Sequence, residues 1–368
     1  MSEVLFHNYV FLGLGLIGGS IAQAVRSLNP SAVIYAYDAD ANNTAQALAD
    51  GTIDAVCDNV LSHIEASDVI FLAAPIGCNI DNLRQIASHV PSHCLITDVG
   101  SVKGNIHEEI KRLHLTTQFI GGHPMTGKET SGYASANERL LENAYYILTP
   151  ECDTLVSFVE QMNSLVLGFH ALPLISTPDA HDYATAAISH LPHLIAASLV
   201  DLVAKEDSKE QFMKTIAAGG FKDLTRIASS APTMWEHICS SNADNISTLL
   251  DHYIEELSKI KRILDQGEFG QINELFTSSG AYRLQINDTQ NGSIPRIYRL
   301  YVDILDEAGA IARIATLLAD HQISIMNIGI THNREMAEGV LYIVFHDAKS
   351  MQSARPILTA CGYTVMVR

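Results

Sequence analysis

The sequence predicts an α/β domain built on a doubly wound, mostly parallel sheet of the Rossmann type, then an all-α region, then a small α+β unit of ferredoxin-like order. Three observations carry this. A glycine-rich turn joins a short apolar strand to a helix near the N-terminus, long helical stretches with 3.6-residue apolar spacing begin at Thr177, and a strand–helix–strand–strand–helix–strand succession follows residue 296. The corresponding boundaries are 1–173, 174–282, a linker at 283–296, and 297–368.

The first element is the apolar run from Tyr9, which enters Gly13-Leu14-Gly15-Leu16-Ile17-Gly18-Gly19-Ser20 and then a helical pattern. In such a turn Gly13 closes the bend, Gly15 lets backbone approach a pyrophosphate, and Gly18 lets the helix pack close, with Leu16 and Ile17 at its positive N-terminus. A second strand, Val33 to Tyr37, ends in Asp38, about 20 residues after the last glycine, where a carboxylate can accept from ribose hydroxyls. That carboxylate would repel a 2′-phosphate, so NAD is expected over NADP.

Further strands follow at Val69 to Ala74 (ending in Pro75), Cys94 to Thr97, Gln118 to Ile120 and Tyr145 to Leu148. Ligands bind at the carboxyl ends of such strands, which places Ala74 and Pro75 against the cofactor and brings Ser101 and His123 towards its reactive ring. Ser101 has a second reading, as a cap of the helix that follows it. The stretch Gly121-Gly122-His123-Pro124-Met125-Thr126-Gly127-Lys128-Glu129-Thr130-Ser131-Gly132 reads as an active-site loop, its glycines and proline shaping the chain around a histidine, a lysine and a glutamate.

In the helical region, Thr177-Pro178 is a helix start. Pro192, within Ser189-His190-Leu191-Pro192-His193, should kink or break that helix at a cost of ~3 kcal/mol. His190 and His193 share a face, either packing or meeting a substrate; no third ligand completes a metal site. Gly219-Gly220 should end one helix, with Lys222 and Arg226 four apart on the next and Asp223 within reach of Arg226. These are a solvated face or a guanidinium fork for a carboxylate. Trp235 is expected to be packing. A helical layer too thin to bury its own faces points to a homodimer.

Composition narrows the classes. A net charge of −18 argues against nucleic acid or anionic membrane as partner, so an anionic small substrate would need a local cation cluster. The six cysteines (57, 78, 94, 152, 239, 361) are scattered without a CxxC pair, as free thiols in a reducing cytoplasm would be. Met1-Ser2-Glu3 carries no basic region and an apolar strand begins near Tyr9, which leaves no room for a signal peptide, and no uninterrupted apolar run is long enough to span a bilayer.

Taken in order, GxGxxGGS at 13–20, Asp-x-Gly-Ser-Val-Lys-Gly at 98–104, Gly-Gly-His-Pro-x-x-Gly-x-Glu at 121–129, Ser-His-Leu-Pro-His at 189–193 and Gly-Gly-Phe-Lys-Asp-x-Thr-Arg-Ile-Ala at 219–228 resemble the prephenate/arogenate dehydrogenases. Asp-x-x-Gly-x-Ile at 306–311 and the run at 323–328 resemble the ligand loop of a C-terminal ACT domain, with Ala308 where a proline is usual. The resemblance covers essentially the whole chain. It implies NAD-dependent oxidative decarboxylation of prephenate to 4-hydroxyphenylpyruvate, or of arogenate to tyrosine. It implies His123 as hydrogen-bond acceptor or base, Ser101 orienting the ring hydroxyl, and Arg226 on the ring carboxylate. His193, His190, Glu129 and Lys222 would shape the side-chain end, and Lys128 would favour a pyruvyl carboxylate. Tyrosine is the implied effector, at Asp306, Ala308, Gly309, Ala310, Ile311, Asn327 and Ile328. A different β-hydroxyacid dehydrogenase and a non-catalytic amino-acid sensor are the alternatives.

Overall fold

The computed structural model describes residues 6–128, 130–288, 298–304, 309–331, 339–345 and 348–366. They form two compact units, Met1–Phe269 and Gly270–Arg368.

The first unit is organised on eight strands: β1 (Asn8–Leu12), β2 (Val33–Tyr37), β3 (Ala55–Val56), β4 (Val69–Leu72), β5 (Leu95–Asp98), β6 (Phe119–Pro124), β7 (Tyr145–Pro150) and β8 (Leu172–Ile175). Their order across the sheet is β3-β2-β1-β4-β5-β6-β7-β8, and every neighbouring pair is parallel except β6–β7. Central strands covered on both faces need apolar side chains throughout, and all four residues of β4 are buried. Strand alternation sorts them into two cores. Phe11 and Phe71 join Ile21 and Val25 of α1 (Leu16–Leu28), while Val10, Leu12, Ile70 and Leu72 face the other side. Helices α2 (Ala41–Ala49), α3 (Ile76–Ile86), α4 (Gly104–Arg112) and α5 (Val156–Gly168) complete the layers, with Leu83 of α3 and Ile106 and Ile110 of α4 in the second core.

The glycine-rich turn has the geometry its sequence demands. Gly13 has φ +105°, and a Cβ there would lie 2.5 Å from the Ala73 carbonyl carbon. A Cβ on Gly18 would meet Gly13 O and lie 2.9 Å from Ala73 Cβ, whereas one on Gly15 would meet nothing within 4 Å. Gly15 therefore borders open space at the start of α1.

Gly121 to Pro124 are not loop, as expected, but the last four residues of β6. Their glycines serve close packing: a Cβ on Gly122 would lie 2.5 Å from Asp98 O and 2.9 Å from the Tyr146 ring, and one on Gly121 would lie 2.8 Å from His107 Nε2.

The helical part comprises α6 (Pro178–Thr185), α7 (Leu191–Glu206), α8 (Phe212–Ile216), α9 (Gly219–Thr225), α10 (Pro232–Ser241), α11 (Ala243–Gln266) and α12 (Phe269–Asp288). Pro192 does not break its helix. A π-helical turn at Ala186–His190 joins α6 to α7, and the Leu191 N–H reaches back to Ala186 O, so one extra residue is absorbed ahead of the proline. The continuous helical run Pro178–Glu206 is long and apolar enough to cross a membrane by length and composition alone, although Asp182, Asp201 and Lys205 interrupt its apolar sequence. It nevertheless buries His181, Asp182 and His190. Two further expectations change. Gly219 and Gly220 open α9 instead of closing a helix, and residues 283–288 of the expected linker continue α12, since Leu284-Gln285-Ile286 sustain a helix as readily as a turn.

The second unit contains α12 from its second residue onward, then β9 (Tyr298–Ile304), α13 (Ala310–Asp320), β10 (Ile325–Thr331), β11 (Gly339–Phe345), α14 (Ala348–Ala360) and β12 (Val365–Met366), with an antiparallel sheet in the order β10-β11-β9-β12. Leu300, Val302 and Ile304 of β9 meet Ile314 and Leu318 of α13 and Leu358 of α14 in its core. Asp306 and Ala308 lie outside the described residues.

Gly122→Ala should destabilise the protein by roughly 1–3 kcal/mol, since backbone and a buried ring would have to move. Gly15→Ala should change stability by less than about 0.5 kcal/mol, because the methyl group enters open space. Urea unfolding of the two variants checks the contrast.

Candidate active site

β6 ends with His123 paired to Ile147 of β7. Its Nδ1 lies 2.8 Å from Nε2 of His181, and His181 Nδ1 lies 2.7 Å from Asp182 Oδ1. His181 and Asp182 are buried in α6, which starts as its sequence predicts, with the Thr177 side chain accepting from Ala180 N. Asp182 also receives the Lys103 N–H on Oδ1 at 2.8 Å and the Gly104 N–H on Oδ2 at 2.7 Å, so it closes the start of α4.

This chain has one consistent proton assignment with a single proton on each ring. The carboxylate accepts only, so His181 carries its proton on Nδ1 and offers Nε2 as acceptor. His123 then donates from Nδ1 and keeps its Nε2 lone pair. Burial, reinforced by His181, Lys103 and His190, holds the His123 ring well below the usual imidazole range. It is a neutral imidazole held in one orientation.

Beneath it lies a buried ion pair. Lys103 Nζ donates to the Asp98 carboxylate and, at 2.6 Å, to Gly122 O, while Asp98 Oδ1 accepts from Gly122 N at 3.2 Å. Both backbone groups of the residue before His123 are thus held. Burial pushes the Lys103 ammonium down, and Asp98 opposes it. Ser101 is half-buried in the turn between β5 and α4. It does not cap α4, whose N-cap position is Lys103 and whose opening N–H groups are taken by Asp182.

His190 is buried, with Nδ1 3.2 Å from Asn242 Nδ2, and the same amide donates to Asp182 O at 2.8 Å. This histidine is packed into the protein's polar interior instead of presented on an open face. His193 donates from Nδ1 to Ser189 O at 2.7 Å and stacks on Trp235 at 4.0 Å between centroids, leaving its Nε2 as an acceptor. Trp235 is packing, as expected, and what it packs on is the histidine pair, meeting His190 edge-on.

Lys222, Asp223 and Arg226 are exposed, on α9 and the 3-10 turn Arg226–Ser229, which packs against α7. Lys128, expected to face a substrate carboxylate, is exposed and donates to Ser135 O at 3.1 Å, within its own loop. Glu129 lies outside the described residues.

At the cofactor end, Asp38 Oδ2 accepts from Leu14 N at 2.5 Å and Oδ1 accepts from Asp40 N at 2.8 Å and Asn43 Nδ2 at 3.2 Å. The carboxylate therefore fastens the glycine-rich turn and retains lone-pair capacity for a diol. Leu16 and Ile17 are half-buried at the start of α1, and Ala74 N donates to Asn79 Oδ1 just before Pro75 and α3. Open space at Gly15 beside a helix N-terminus, with an acid at the end of β2, fits a dinucleotide.

Sequence reasoning missed His181, Asp182 and Asn242. The usable signal was the adjacent His181-Asp182 pair one turn inside the helix that Thr177-Pro178 starts.

Comparison with known proteins assigns both parts of the first unit to one family. Residues 21–172 match the family model "Prephenate dehydrogenase, nucleotide-binding domain" and residues 177–278 match "Prephenate dehydrogenase, dimerization domain". The chain is 39% identical to a prephenate dehydrogenase of Bacillus subtilis over 95% of its own length and 94% of the relative's. It is 37% identical to one of Lactococcus lactis, over 97% and 99%. The crystal structure of an A. aeolicus prephenate dehydrogenase in complex with hydroxyphenyl propionate and NAD+ superposes with a TM-score of 0.73 at 28% identity, covering 77% of this chain and 100% of that one.

Burial pushes the His190 ring down to about 4 from an ordinary 6.5, against the attraction of Asp182. The unfolded chain thus takes up a proton below pH 6.5 that the folded chain refuses. The stability this residue contributes is full above pH 6.5 and is lost as pH falls towards 4, up to roughly 3 kcal/mol. His190→Gln should flatten the melting temperature against pH in that window; a curve parallel to the unsubstituted protein's would show that His190 does not carry the acid sensitivity.

Proposed function

The chain belongs to the prephenate dehydrogenase family, and on that premise we propose how its residues divide the NAD-dependent oxidative decarboxylation of prephenate to 4-hydroxyphenylpyruvate, CO2 and NADH. The observation that carries the proposal is the chain Asp182–His181–His123, which leaves a neutral imidazole with its lone pair on Nε2.

Bound NAD+ supplies the hydride acceptor. Gly13, Gly15, Leu16, Ile17 and Gly18 would receive its pyrophosphate, Asp38 its adenosine ribose, and Ala74, Pro75 and Ser101 would border its ring. His123 Nε2 accepts the hydrogen bond of the ring hydroxyl and draws its proton as the carbon bearing it becomes electron-poor. It returns that proton to the oxygen once the carboxylate has departed as CO2 and the ring is aromatic, so the imidazole ends neutral. Ser101 orients the hydroxyl. Arg226 holds the ring carboxylate, with Asp223 steadying it. His193, Lys222 and Glu129 line the side-chain end, and His190 acts there through packing. Because aromatisation drives the reaction, positioning and polarisation are what the protein must provide.

The Lys128 bond to Ser135 O takes away the residue that would distinguish a pyruvyl from an alanyl side chain, so arogenate is the second reading. We further infer a homodimer, supported by exposed apolar side chains such as Leu202, Leu224, Ile254 and Leu257 on α7, α9 and α11. The scattered thiols support a cytoplasmic location. We read residues 297–368 as an ACT domain that binds tyrosine at Asp306, Ala308, Gly309, Ala310, Ile311, Asn327 and Ile328. Gly309, at φ +90°, opens α13, and the β10–β11 register shifts between Ile325 and Asn327, beside the expected ligand positions.

NADH formation should be seen with prephenate and should be suppressed by millimolar tyrosine; turnover of arogenate alone would reassign the substrate. Asn327→Ala should relieve the suppression without lowering the rate, and inhibition that persists would place tyrosine in the active site.

His123→Asn should lower kcat by roughly 10²–10⁴ with little change in NADH affinity. For the unsubstituted enzyme, kcat/KM should stay level from pH 8 through 6.5 and fall only at lower pH, where His123 is protonated. A fall centred on pH 6.5 would contradict a base held below its ordinary range.

A further inference from the structure

Asn242 stands between α10 and α11, belonging to neither helix, and its side chain is buried. A buried amide needs a partner for each hydrogen and for its oxygen, and this one has all three. Its Nδ2 donates to Asp182 O at 2.8 Å and lies 3.2 Å from His190 Nδ1, while its Oδ1 accepts from Asn245 Nδ2 at 2.8 Å.

The Asp182 carbonyl only accepts, so it settles which end of the amide is nitrogen. The second hydrogen of that nitrogen is aimed at His190 Nδ1, which must offer a lone pair, so His190 carries its single proton on Nε2. The same amide spans the π turn Ala186–His190, from the carbonyl that receives the Ala186 N–H at its start to the ring of its last residue.

A second proton on His190 would have to enter at Nδ1, against the Asn242 N–H. The charges that act on His190 are those of Asp182 and His181 on α6 and His193 on α7, and His190 acts in turn on His123. An imidazolium at this position would therefore weaken His123 as a proton acceptor.

We propose that Asn242 is a positioning residue for the proton transfer: its amide braces the π turn and holds His190 uncharged, with the proton on Nε2, so that His123 accepts its proton beside a neutral ring. The catalytic half of this proposal rests on the reading of His123 as acceptor of the ring hydroxyl, whereas the state of His190 does not depend on it.

Trp235, the only tryptophan in the chain, meets His190 edge-on with ring centroids 6.1 Å apart and stacks on His193. A protonated imidazole quenches a neighbouring indole, so the part of the pH-dependent fluorescence that His190→Gln removes reports the charge on His190. In the unsubstituted enzyme that part should appear only towards about pH 4. Asn242→Asp, which turns a carboxylate towards Nδ1, should bring it up to roughly pH 6 or above. Asn242→Ala removes the amide hydrogens without adding a charge; it should move the component the same way by less, and it serves if the aspartate variant does not fold. In Asn242→Asp, kcat with saturating prephenate should rise roughly 3-fold or more between about pH 6.5 and 8, where the unsubstituted enzyme is level. Adding His190→Gln to that variant should abolish the rise.

A fluorescence component that stays towards about pH 4 in both Asn242 variants overturns the role of Asn242. A component that moves while the kcat profile stays parallel to that of the unsubstituted enzyme overturns its link to His123. Absence of turnover in the unsubstituted enzyme overturns the functional reading and the catalytic half with it, and the fluorescence still decides the state of His190.

Discussion

One carboxylate, Asp182, joins the two layers on which the site is built. It belongs to the first helix of the helical region, yet its oxygens close the start of α4 in the nucleotide-binding layer and accept from His181. The orientation of His123 is therefore conditional on the docking of α6 against the sheet. An acceptor on one layer that satisfies the orphan N–H groups of a helix on the other also accounts for a buried charge at this boundary, since a carboxylate there is tolerated only when fully hydrogen-bonded.

The Lys103–Asp98 pair illustrates how position and stability separate. Burial pushes the Lys103 ammonium down despite the carboxylate beside it, the mark of a pair whose desolvation is large relative to its attraction. Such a pair is poor evidence of stabilisation. Its geometric effect is specific, because both members also grip the backbone of Gly122. β7 pairs with this strand end on one side, and on the other, where the β5 pairing stops at Ile120, the ion pair takes the place of a strand. The glycine is required for the same reason, since no side chain fits between Asp98 O and Tyr146.

Much of this was legible in the sequence where local chemistry decides the outcome. Gly13 needs a positive φ, Thr177-Pro178 caps a helix, and β4 is apolar throughout because both its faces are covered. The second unit's strands and helices fall close to where alternation and 3.6-residue spacing place them. Where tertiary packing decides, the sequence misled. Pro192 reads as a break because nothing local announces the π turn that absorbs it. Gly121 and Gly122 read as loop because the demand for small residues comes from His107, Thr149 and Tyr146 on other elements. His181 and Asp182 went unread because a histidine and an acid inside a helix acquire meaning only when the strand end carrying His123 lies beside them.

The distribution of charge sets how a doubly anionic substrate can enter a chain of net charge −18. The interior cation, Lys103, is neutralised by Asp98, and the interior base is kept neutral by burial, so neither offers attraction to an incoming carboxylate. Lys222 and Arg226 differ in being exposed, on elements packed against α7, which also carries His193. Exposed cations in a negative field raise the local concentration of an anion without the desolvation that a buried cation requires. The exposed cations and the interior imidazoles thus lie on separate elements, Lys222 and Arg226 on α9 and the turn that follows it, His123 and His181 on β6 and α6.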